Sequence, residues 1–313
     1  MADIACVGIM VADVMVKPVK ALPKRGLLEP VDMISLHTGG NAMTAAININ
    51  TMGLSSAVVG RVGCDSFGDF LVDTLEKKGI DTKNVSRDEN AQTSSSVLFI
   101  SEDGERSFFH CVGANGTFRM KDVDWSEIDK AKIIFVTGVF LLDAFDRYDL
   151  TEFLKKCREM GKTTVVDVCW DSKGRWSEII SPAMPYIDIF LPSIDEAREI
   201  AGKESPEDCA KVFFEQGAGK VIIKLGGDGC YVQENENEPG VILPCCKGVT
   251  AVDTTGAGDS FCSGFLAAYS KGKSFIDCAK FGNATGALCV TSTGATTGMR
   301  SYDEVEKFMI EHS

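Results

Sequence analysis

The stretch Asp253-Thr254-Thr255-Gly256-Ala257-Gly258-Asp259-Ser260-Phe261 decides how this 313-residue chain is interpreted. Its small residues at 256–258 let the backbone come close to a ligand and direct several N–H groups at one point. Phe261, Phe265 and Tyr269 follow at helical spacing, and a Val-rich segment that we expect to be a strand precedes Asp253. The stretch therefore predicts a loop that opens a helix, and a helix N-terminus of this kind binds anions.

Asp259 lies one turn into the predicted helix, beside the anion site. A carboxylate there can take the proton from an attacking hydroxyl as a phosphoryl group moves, a role typically worth ~10²–10⁴ in rate. It can equally complement the helix N-terminus, which contributes about 0.3–1 kcal/mol. The local sequence leaves both roles open.

Two other phosphate-binding motifs are missing from the sequence. GxxxxGK[ST] does not occur, since Gly219-Lys220 lacks the following Ser or Thr. No GxGxxG follows the first predicted strand with an acidic residue about 20 positions later. The sequence therefore disfavours both a Walker-type nucleotidase and a dinucleotide-binding enzyme.

Charge and cysteine content exclude further classes of protein. The 32 basic and 45 acidic side chains give a net charge of −13, which does not suit a nucleic-acid binder. The 12 cysteines include no CxxC pair, so we expect reduced thiols in the core. Residues 1–16 lack a basic leader, and the apolar run Ile133–Leu142 is too short to cross a bilayer. We expect a cytoplasmic protein without nucleic-acid or membrane partners.

Short β-branched runs alternate with helical patterns along the chain, which indicates an α/β fold with a mostly parallel sheet. We expect a single domain over residues 1–313. The predicted strands are Ile4–Val7, Ala57–Val62, Ile133–Thr137, Thr163–Val168, Ile187–Leu191 and Lys220–Leu225, and the predicted helices are Ala42–Met52, Phe67–Lys78, Asp149–Met160 and Ile194–Ala201.

Two stretches, approximately 14–36 and 93–118, lack the helical period. The second alternates around a turn at Glu102-Asp103-Gly104. Both predict antiparallel strands inserted into the parallel fold, and insertions of this kind are candidates for a lid over a ligand site.

The stretch 253–261 resembles the C-terminal signature of the ribokinase-like (PfkB) sugar-kinase family, D-T-x-G-A-G-D-x-F. Other family landmarks follow in order across nearly the whole chain. They are Gly8 and Asp13, Gly39-Gly40, the block Val59–Gly68, Leu225–Gly229 and Gly294-Ala295.

This resemblance implies a three-layer α/β/α fold with a small β-sheet lid. It implies an enzyme that uses ATP and Mg²⁺ to phosphorylate a hydroxyl of a small sugar, of the ketohexose or pentose class. Asp259 would be the general base, and the backbone of Gly256, Ala257 and Gly258 the anion hole.

The resemblance also implies residues that contact the acceptor. Asp13 would accept hydrogen bonds from sugar hydroxyls, unless it merely ends a strand. The di-glycine and the residue after it would approach the sugar, unless they only form a helix-entry turn. The predicted acceptor residues are Asp13, Gly39, Gly40, Asn41, Thr44 (where the family often has Asn) and the lid residue Asn115.

On the nucleotide side, the implied residues are Ser193, Glu196, Lys224, Gly226, Gly229 and Asn283. Asn283 would contact adenine and Lys224 the phosphates; a polar residue within a helix and a strand-end charge are the structural alternatives. Some family members bind a monovalent cation through oxygens, and Asp253, Thr255 and Gly294 occupy the matching positions, so K⁺ activation is a further hypothesis.

Departures from the family pattern concern mainly the substrate. The N-x-x-E motif that organises Mg²⁺ and phosphate is Ser193-Ile194-Asp195-Glu196 here, and Asp167–Asp171 lacks the Asn and Arg of D-x-N-x-R. A nucleoside kinase and a catalytically weak sugar sensor therefore stay open as alternatives. The aromatic pair Phe108-Phe109 either shields the acceptor or joins two lids in a homodimer.

Overall fold

The computed structural model describes residues 3–101 and 105–312. Strands and helices alternate along these ranges as βαβ construction requires. The strands are β1 (Ile4–Gly8), β2 (Val11–Lys17), β3 (Met33–Gly39), β4 (Ser56–Gly63), β5 (Asp81–Asp88), β6 (Ser95–Ile100), β7 (Arg106–Cys111), β8 (Ile133–Val139), β9 (Thr163–Val168), β10 (Ile189–Phe190), β11 (Lys220–Lys224), β12 (Cys230–Gln233) and β13 (Val241–Leu243).

The α-helices begin close to the predicted positions, and Ile194–Ala201 agrees at both ends. They are α1 (Asn41–Thr51), α2 (Ser66–Lys77), α3 (Trp125–Ile128), α4 (Tyr148–Glu159), α5 (Trp176–Ile180), α6 (Ile194–Ala201), α7 (Pro206–Glu215), α8 (Ala257–Ser270), α9 (Phe275–Cys289) and α10 (Tyr302–Glu311). Short 3₁₀ helices span Gly113–Thr117, Met120–Asp122, Ser181–Tyr186 and Gly226–Asp228.

The larger sheet runs in the order β13-β12-β11-β10-β9-β8-β1-β4-β5 and is parallel except for β12 and β13. Its central strands β1, β8 and β9 are buried on both faces. On β1, Ile4 and Cys6 pack into one apolar cluster with α1, α8 and α9, while Ala5 and Val7 pack into a second cluster with α4 to α7. This arrangement confirms the predicted three-layer α/β/α fold.

The prediction of a strand directly before Asp253 is wrong. Strand β13 ends at Leu243, and residues 244–256 contain no strand. Val249 and Ala251 instead line a cavity beside α8, and Val252 is exposed. The β-branched residues of this segment form part of the wall of that cavity. Strand propensity alone does not distinguish residues that line a cavity from residues that pair in a sheet.

A second sheet, in the order β3-β2-β6-β7, forms where the lid was predicted. We call these four strands the lid. Strands β2 and β6 pair in parallel, so the prediction of purely antiparallel strands is wrong for this pair, because β6 enters the sheet from the main body. Strand β2 also begins at Val11, before the predicted boundary, and residues 18–32 contain no strand. The turn predicted at Glu102-Asp103-Gly104 lies outside the described residues.

The two faces of the lid differ in polarity. Residues directly opposite in register share a face, and one such row joins His37, Asp13, Ser96 and His110. The adjacent row, Leu36, Val14, Val97 and Phe109, belongs to the other face. The lid therefore has a polar face that carries Asp13 and an apolar face.

Asp65, within the family block 59–68, ties the lid to the main sheet. One carboxylate oxygen accepts from the N–H of Gly68 at 2.9 Å and caps α2. The other accepts from the N–H of Thr93, just before β6, at 2.7 Å. Asp65 therefore has a structural role in this block.

Candidate active site

The predicted loop–helix junction is present at the start of α8. Gly256 has φ of 76°, and a Cβ there would lie 2.3 Å from the Cβ of Ala295, so this position requires glycine. The N–H of Ala257 donates to the Thr254 carbonyl at 3.2 Å. In the predicted anion hole, that amide has to exchange this bond for one to a phosphate oxygen.

Asp259, in the first turn of α8, points at the start of α1. Its Oδ1 accepts a hydrogen bond from Nδ2 of Asn41 at 2.6 Å. Burial raises the pKa of the Asp259 carboxyl, while this hydrogen bond and the Lys224 ammonium act in the opposite direction. The predicted base and a predicted acceptor residue are thus in direct contact.

Lys224 ends β11 beside the same helix N-terminus. Its Nζ is 2.7 Å from Oδ1 of Asp167, and a Cβ at Gly258 would lie 3.5 Å from it. Burial would lower the pKa of Lys224, but Asp167, Cys262 and Glu196 together outweigh burial and raise the pKa above its usual value. The ammonium therefore stays charged next to the predicted phosphate site.

Ser193 and Glu196 form a capping box at the start of α6. The Glu196 Oε2 accepts from the Ser193 N–H at 2.7 Å, and the Ser193 hydroxyl accepts from the Glu196 N–H at 3.4 Å. Burial raises the pKa of Glu196. The structure shows a helix-capping role for both residues, and their role toward ATP and Mg²⁺ stays a prediction.

Two cavities meet at the first turn of α8. The nucleotide cavity, of about 340 Å³, extends past Gly226, Gly229 and Asn283. The transfer cleft, of about 370 Å³, contains Asn41, Asp167, Glu196 and Asp259. Lys224, Ala257 and Gly258 line both cavities. The anion site and the predicted base therefore lie where a nucleotide and an acceptor would meet.

Asn283 lines the nucleotide cavity, but its side-chain amide holds the chain after β13. Nδ2 donates to the carbonyls of Leu243 at 3.2 Å and Pro244 at 3.1 Å. Gly229 lies against the same segment, and a Cβ there would lie 2.0 Å from the Leu243 oxygen, so this position requires glycine. These contacts favour the structural alternative for Asn283 over direct recognition of adenine.

The di-glycine makes room for Asp13. A Cβ on Gly39 would lie 2.0 Å from the Asp13 Oδ2, and Gly40 has φ of 87° with its Cβ position 2.5 Å from the Ile9 oxygen. Burial raises the pKa of Asp13 to about 6, although a hydrogen bond from the Ser96 hydroxyl acts in the opposite direction. The predicted acceptor residues Asp13, Gly39 and Gly40 therefore lie together, where β2 passes the start of α1.

Thr44 and Asn115 are both buried. Only 2% of Asn115 is exposed; its Oδ1 accepts from the Met10 N–H at 3.2 Å and its Nδ2 donates to the Met10 carbonyl at 2.9 Å. Because both ends of the amide hold the link between β1 and β2, the structure favours a supporting role over the predicted contact with a hydroxyl.

Asp253 joins the two loops of the predicted cation site. Its Oδ1 accepts from the Thr255 N–H at 2.9 Å, and its Oδ2 accepts from the Gly294 N–H at 3.0 Å. Among residues 3–101 and 105–312, no group of three or more His, Cys, Asp and Glu side chains could hold a metal ion. The three residues lie together, and cation binding by them stays a prediction.

Asp167 and Cys169 line the cleft but were not among the predicted site residues. Asp167 pairs with Lys224, and Cys169 lies 3.3 Å from Oδ1 of Asn41 through its Sγ. The signal was the segment 167–171 at the end of a predicted parallel strand, where ligand sites form, but it was interpreted only as a departure from D-x-N-x-R. All twelve cysteines are free, as expected for reduced thiols.

The chain is similar to known carbohydrate kinases. The model of the pfkB family of carbohydrate kinases matches residues 1–301. An uncharacterized sugar kinase of Archaeoglobus fulgidus is 30% identical over 82% of this chain and 100% of its own. The 2-dehydro-3-deoxygluconokinase of Bacillus subtilis is 27% identical over 91% of this chain and 90% of its own.

A solved structure shows the same fold. The ribokinase of Arabidopsis thaliana, complexed with ribose and ATP, superposes with a TM-score of 0.84 at 24% identity and covers 99% of both chains. In the part of the chain that the structure describes, none of the helices has the length and apolarity to span a membrane. With the family model matched over residues 1–301, the chain belongs to the pfkB family of carbohydrate kinases, enzymes that transfer a phosphoryl group from ATP to a sugar.

Proposed function

We propose that this kinase phosphorylates a hydroxyl of a small neutral sugar, of the ketohexose or pentose class, with Asp259 as general base and the backbone of 256–258 as anion hole. The observation that carries the proposal is the position of the Asp259 carboxylate. It lies in the first turn of α8, in the transfer cleft, with Lys224 in the wall shared with the nucleotide cavity.

In this mechanism the acceptor hydroxyl attacks the γ-phosphorus of ATP and transfers its proton to Asp259. The O–P bond to the acceptor forms as the bond to ADP breaks, so charge develops on the equatorial oxygens. The N-terminus of α8 and the Lys224 ammonium stabilise that charge because they are fixed before the reaction. Asp167 holds the ammonium in place at 2.7 Å.

The cleft has a carboxylate that suits the Mg²⁺ expected with ATP. Glu196 lines it, and its Oε2 is used by the Ser193 N–H, which leaves the second carboxylate oxygen for a water of the hydrated ion. Mg²⁺ bound there would neutralise phosphate charge. Ser193 stands in place of the family Asn, so an indirect contact through water suits this site better than direct ligation.

The charges around the cleft favour a neutral acceptor. Among the described residues that line the cleft, Lys224 is the one cationic side chain, and it is paired with Asp167. Asp171 stands at the Arg position of D-x-N-x-R, and it binds Arg175 at 3.1 Å. Asp13 adds a further carboxyl group. An acidic or phosphorylated sugar would therefore find no free positive partner in this lining.

A nucleoside kinase is the second candidate, because Phe108 lies on the polar face of the lid and is two-thirds exposed. An aromatic ring in this position could stack a base. The third, a sugar sensor, is disfavoured because a protein that only binds sugar has no need for a carboxylate such as that of Asp259 beside a helix N-terminus.

A panel of acceptors in a coupled ADP-release assay tests these candidates. It includes ribose, fructose, adenosine, a 2-keto sugar acid and fructose 6-phosphate. We expect turnover with a neutral sugar and at least about tenfold lower kcat/KM with the charged ones. Turnover with nucleosides alone would overturn the sugar class. Thermal stabilisation by a sugar without any ADP formation would favour the sensor.

Three further expectations complete the proposal. The free thiols support a reducing, cytoplasmic location for this single kinase domain.

The loops joined by Asp253 would bind K⁺, and equal rates with and without K⁺ would contradict this expectation. The apolar face of the lid, with Ile34, Leu36 and Phe109 exposed, would join two copies into a homodimer.

A further inference from the structure

The carboxylate of Asp259 is held by a side chain that is itself rigidly placed. Asn41 is the first residue of α1 and follows Gly40, which has a positive φ and no room for a Cβ beside the Ile9 oxygen. Its Nδ2 donates to Oδ1 of Asp259 at 2.6 Å. The hydrogen bond is short and involves a charged acceptor, a combination that is stronger than a bond between neutral groups.

The orientation of the Asn41 amide depends on a second contact. An amide has a donor end and an acceptor end, and a rotation by 180° would turn its oxygen toward the carboxylate. The Sγ of Cys169 lies 3.3 Å from Oδ1 of Asn41 and donates to it. Burial and the nearby Asp167 raise the pKa of Cys169 well above its usual value, so the thiol keeps its proton and remains a donor.

We propose that Asn41 and Cys169 are positioning residues for Asp259: the thiol fixes the amide, and the amide fixes the carboxylate and keeps it ionised. This rests on the proposed role of Asp259 as base. The held oxygen is Oδ1, so Oδ2 is left to receive the acceptor proton. Cys169 stands at the Asn position of D-x-N-x-R, and in this chain the contact with Asn41 is made by its thiol.

Several charged and titratable groups face Asp259, and their effects have different signs. Lys224 at the end of β11 and the amide of Asn41 favour the ionised carboxylate, whereas burial and Glu196 of α6 disfavour it. The groups that also interact with it are Asp167 of β9, Cys169 after β9, Cys262 of α8 and Cys289 of α9. Loss of the Asn41 donor removes one of the two stabilising contacts, so the pKa of Asp259 rises further.

The test compares the pH profiles of kcat for Asn41→Ala, Cys169→Ala and Cys169→Ser with wild type. Asn41→Ala is expected to lower kcat at pH 6 by about tenfold or more and to move the acidic limb to higher pH. Cys169→Ala is expected to act in the same direction with a smaller effect. Cys169→Ser keeps a donor and is expected to restore most of the wild-type profile. Cys157→Ala, at a buried thiol of α4 outside the network, is the control.

A role of Asn41 in acceptor binding alone has a different signature: KM for the sugar rises while the acidic limb of kcat stays in place. That result with Asn41→Ala, together with an unchanged limb in Cys169→Ala, would overturn the proposal. Circular dichroism of each variant shows whether it has folded, and the Cys169 pair keeps the test valid if Asn41→Ala does not fold.

A second readout separates this inference from the proposed function. The carboxyl ¹³C resonance of Asp259, assigned by its absence in Asp259→Asn, reports the titration of the group without turnover. An upward shift of its titration in Asn41→Ala and Cys169→Ala supports positioning even if no tested acceptor is phosphorylated. Titration at the same pH in all variants overturns positioning even if a sugar is turned over.

Discussion

The nucleotide side and the acceptor side of the transfer cleft are built in different ways. On the nucleotide side, backbone amides at a helix N-terminus and a buried pair, Lys224 with Asp167, are fixed by main-chain geometry and strand ends. On the acceptor side, Asp13 lies on a four-stranded lid that is anchored to the body by contacts such as Asp65 with Thr93.

This difference separates the chemistry from the choice of substrate. The rigid half can stabilise a transferred phosphoryl group on any acceptor, because its groups do not depend on the lid. The lid half carries the polar row with Asp13 on one face and an exposed apolar row on the other. Changes in the first half should therefore affect rate and stability strongly, and changes in the second should affect affinity and assembly.

The largest effect is expected at the junction of the two halves, from Asp259→Asn. Loss of the general base should lower kcat by ~10²–10⁴. ATP binding should stay near normal, because the amide side chain keeps the size of the carboxylate and the helix N-terminus is untouched. Steady-state kinetics and nucleotide titration by calorimetry measure the two quantities. Unchanged kcat would remove Asp259 from the mechanism.

The rigidity of the nucleotide half is tested by Lys224→Met. The variant leaves Asp167 buried without its cation, and breaking such a pair typically costs about 3–5 kcal/mol of unfolding free energy. Since Lys224 borders the cleft, we expect about 3 kcal/mol, measured by urea unfolding.

Two further variants make that measurement specific. Lys220 lies on the same strand as Lys224 and forms a more exposed ion pair with Glu234. Lys220→Met breaks that pair and should lower the free energy of unfolding by less than about 1 kcal/mol. The double variant Lys224→Met with Asp167→Leu removes both buried charges and should recover part of the stability. Equal losses for Lys220→Met and Lys224→Met would contradict the contrast between the two halves.

Most of the fold could be predicted from the sequence because its signals are local, whereas the kinase activity was predicted from a resemblance of motifs spread over nearly the whole chain. The helix opened by 256–258 and the strands of the parallel sheet are set by neighbouring residues. The strand expected before Asp253 failed because β-branched residues also line cavities.

The contacts within the site could not be predicted, because they join residues far apart in the chain. Asn41 and Asp259 are separated by 218 positions, and Asn115 and Met10 by 105. The neighbouring sequence does not show that Asn41 binds the Asp259 carboxylate or that Asn115 holds the link between β1 and β2. Composition also gave no sign that Ser193 and Glu196 would satisfy each other as a helix cap.

Affinity on the acceptor side should depend on the ionisation of Asp13. Burial raises the pKa of Asp13 to about 6, so the carboxylate that we propose as acceptor of hydrogen bonds from sugar hydroxyls is lost as pH falls through this value. KM for the sugar should rise about tenfold by pH 5, where about a tenth of the group remains ionised. Asp13→Asn should have a high KM that does not change over this range.

The same titration predicts the sign of a stability effect. The native carboxyl keeps its proton up to about pH 6, whereas the unfolded chain releases it near its ordinary pKa. Between these values the native state binds more protons, so Asp13 makes the free energy of unfolding fall as pH rises. Thermal unfolding of wild type and Asp13→Asn across this range checks the sign, and parallel curves would show that Asp13 does not titrate as inferred.

The smallest change in stability is expected on the lid, from two adjacent phenylalanines on opposite faces. Phe109 lies on the apolar face, is 66% exposed and contacts Phe99 edge-on, with ring centroids 5.9 Å apart. Phe108 lies on the face that carries Asp13. Each change to serine should alter the free energy of unfolding of the monomer by no more than about 0.5 kcal/mol. Phe109→Ser should nevertheless lower the mass measured by sedimentation, whereas Phe108→Ser should keep that mass and change KM for the acceptor. If both variants and the wild type sediment alike as monomers, the apolar face does not join two copies, and the lid serves the acceptor alone.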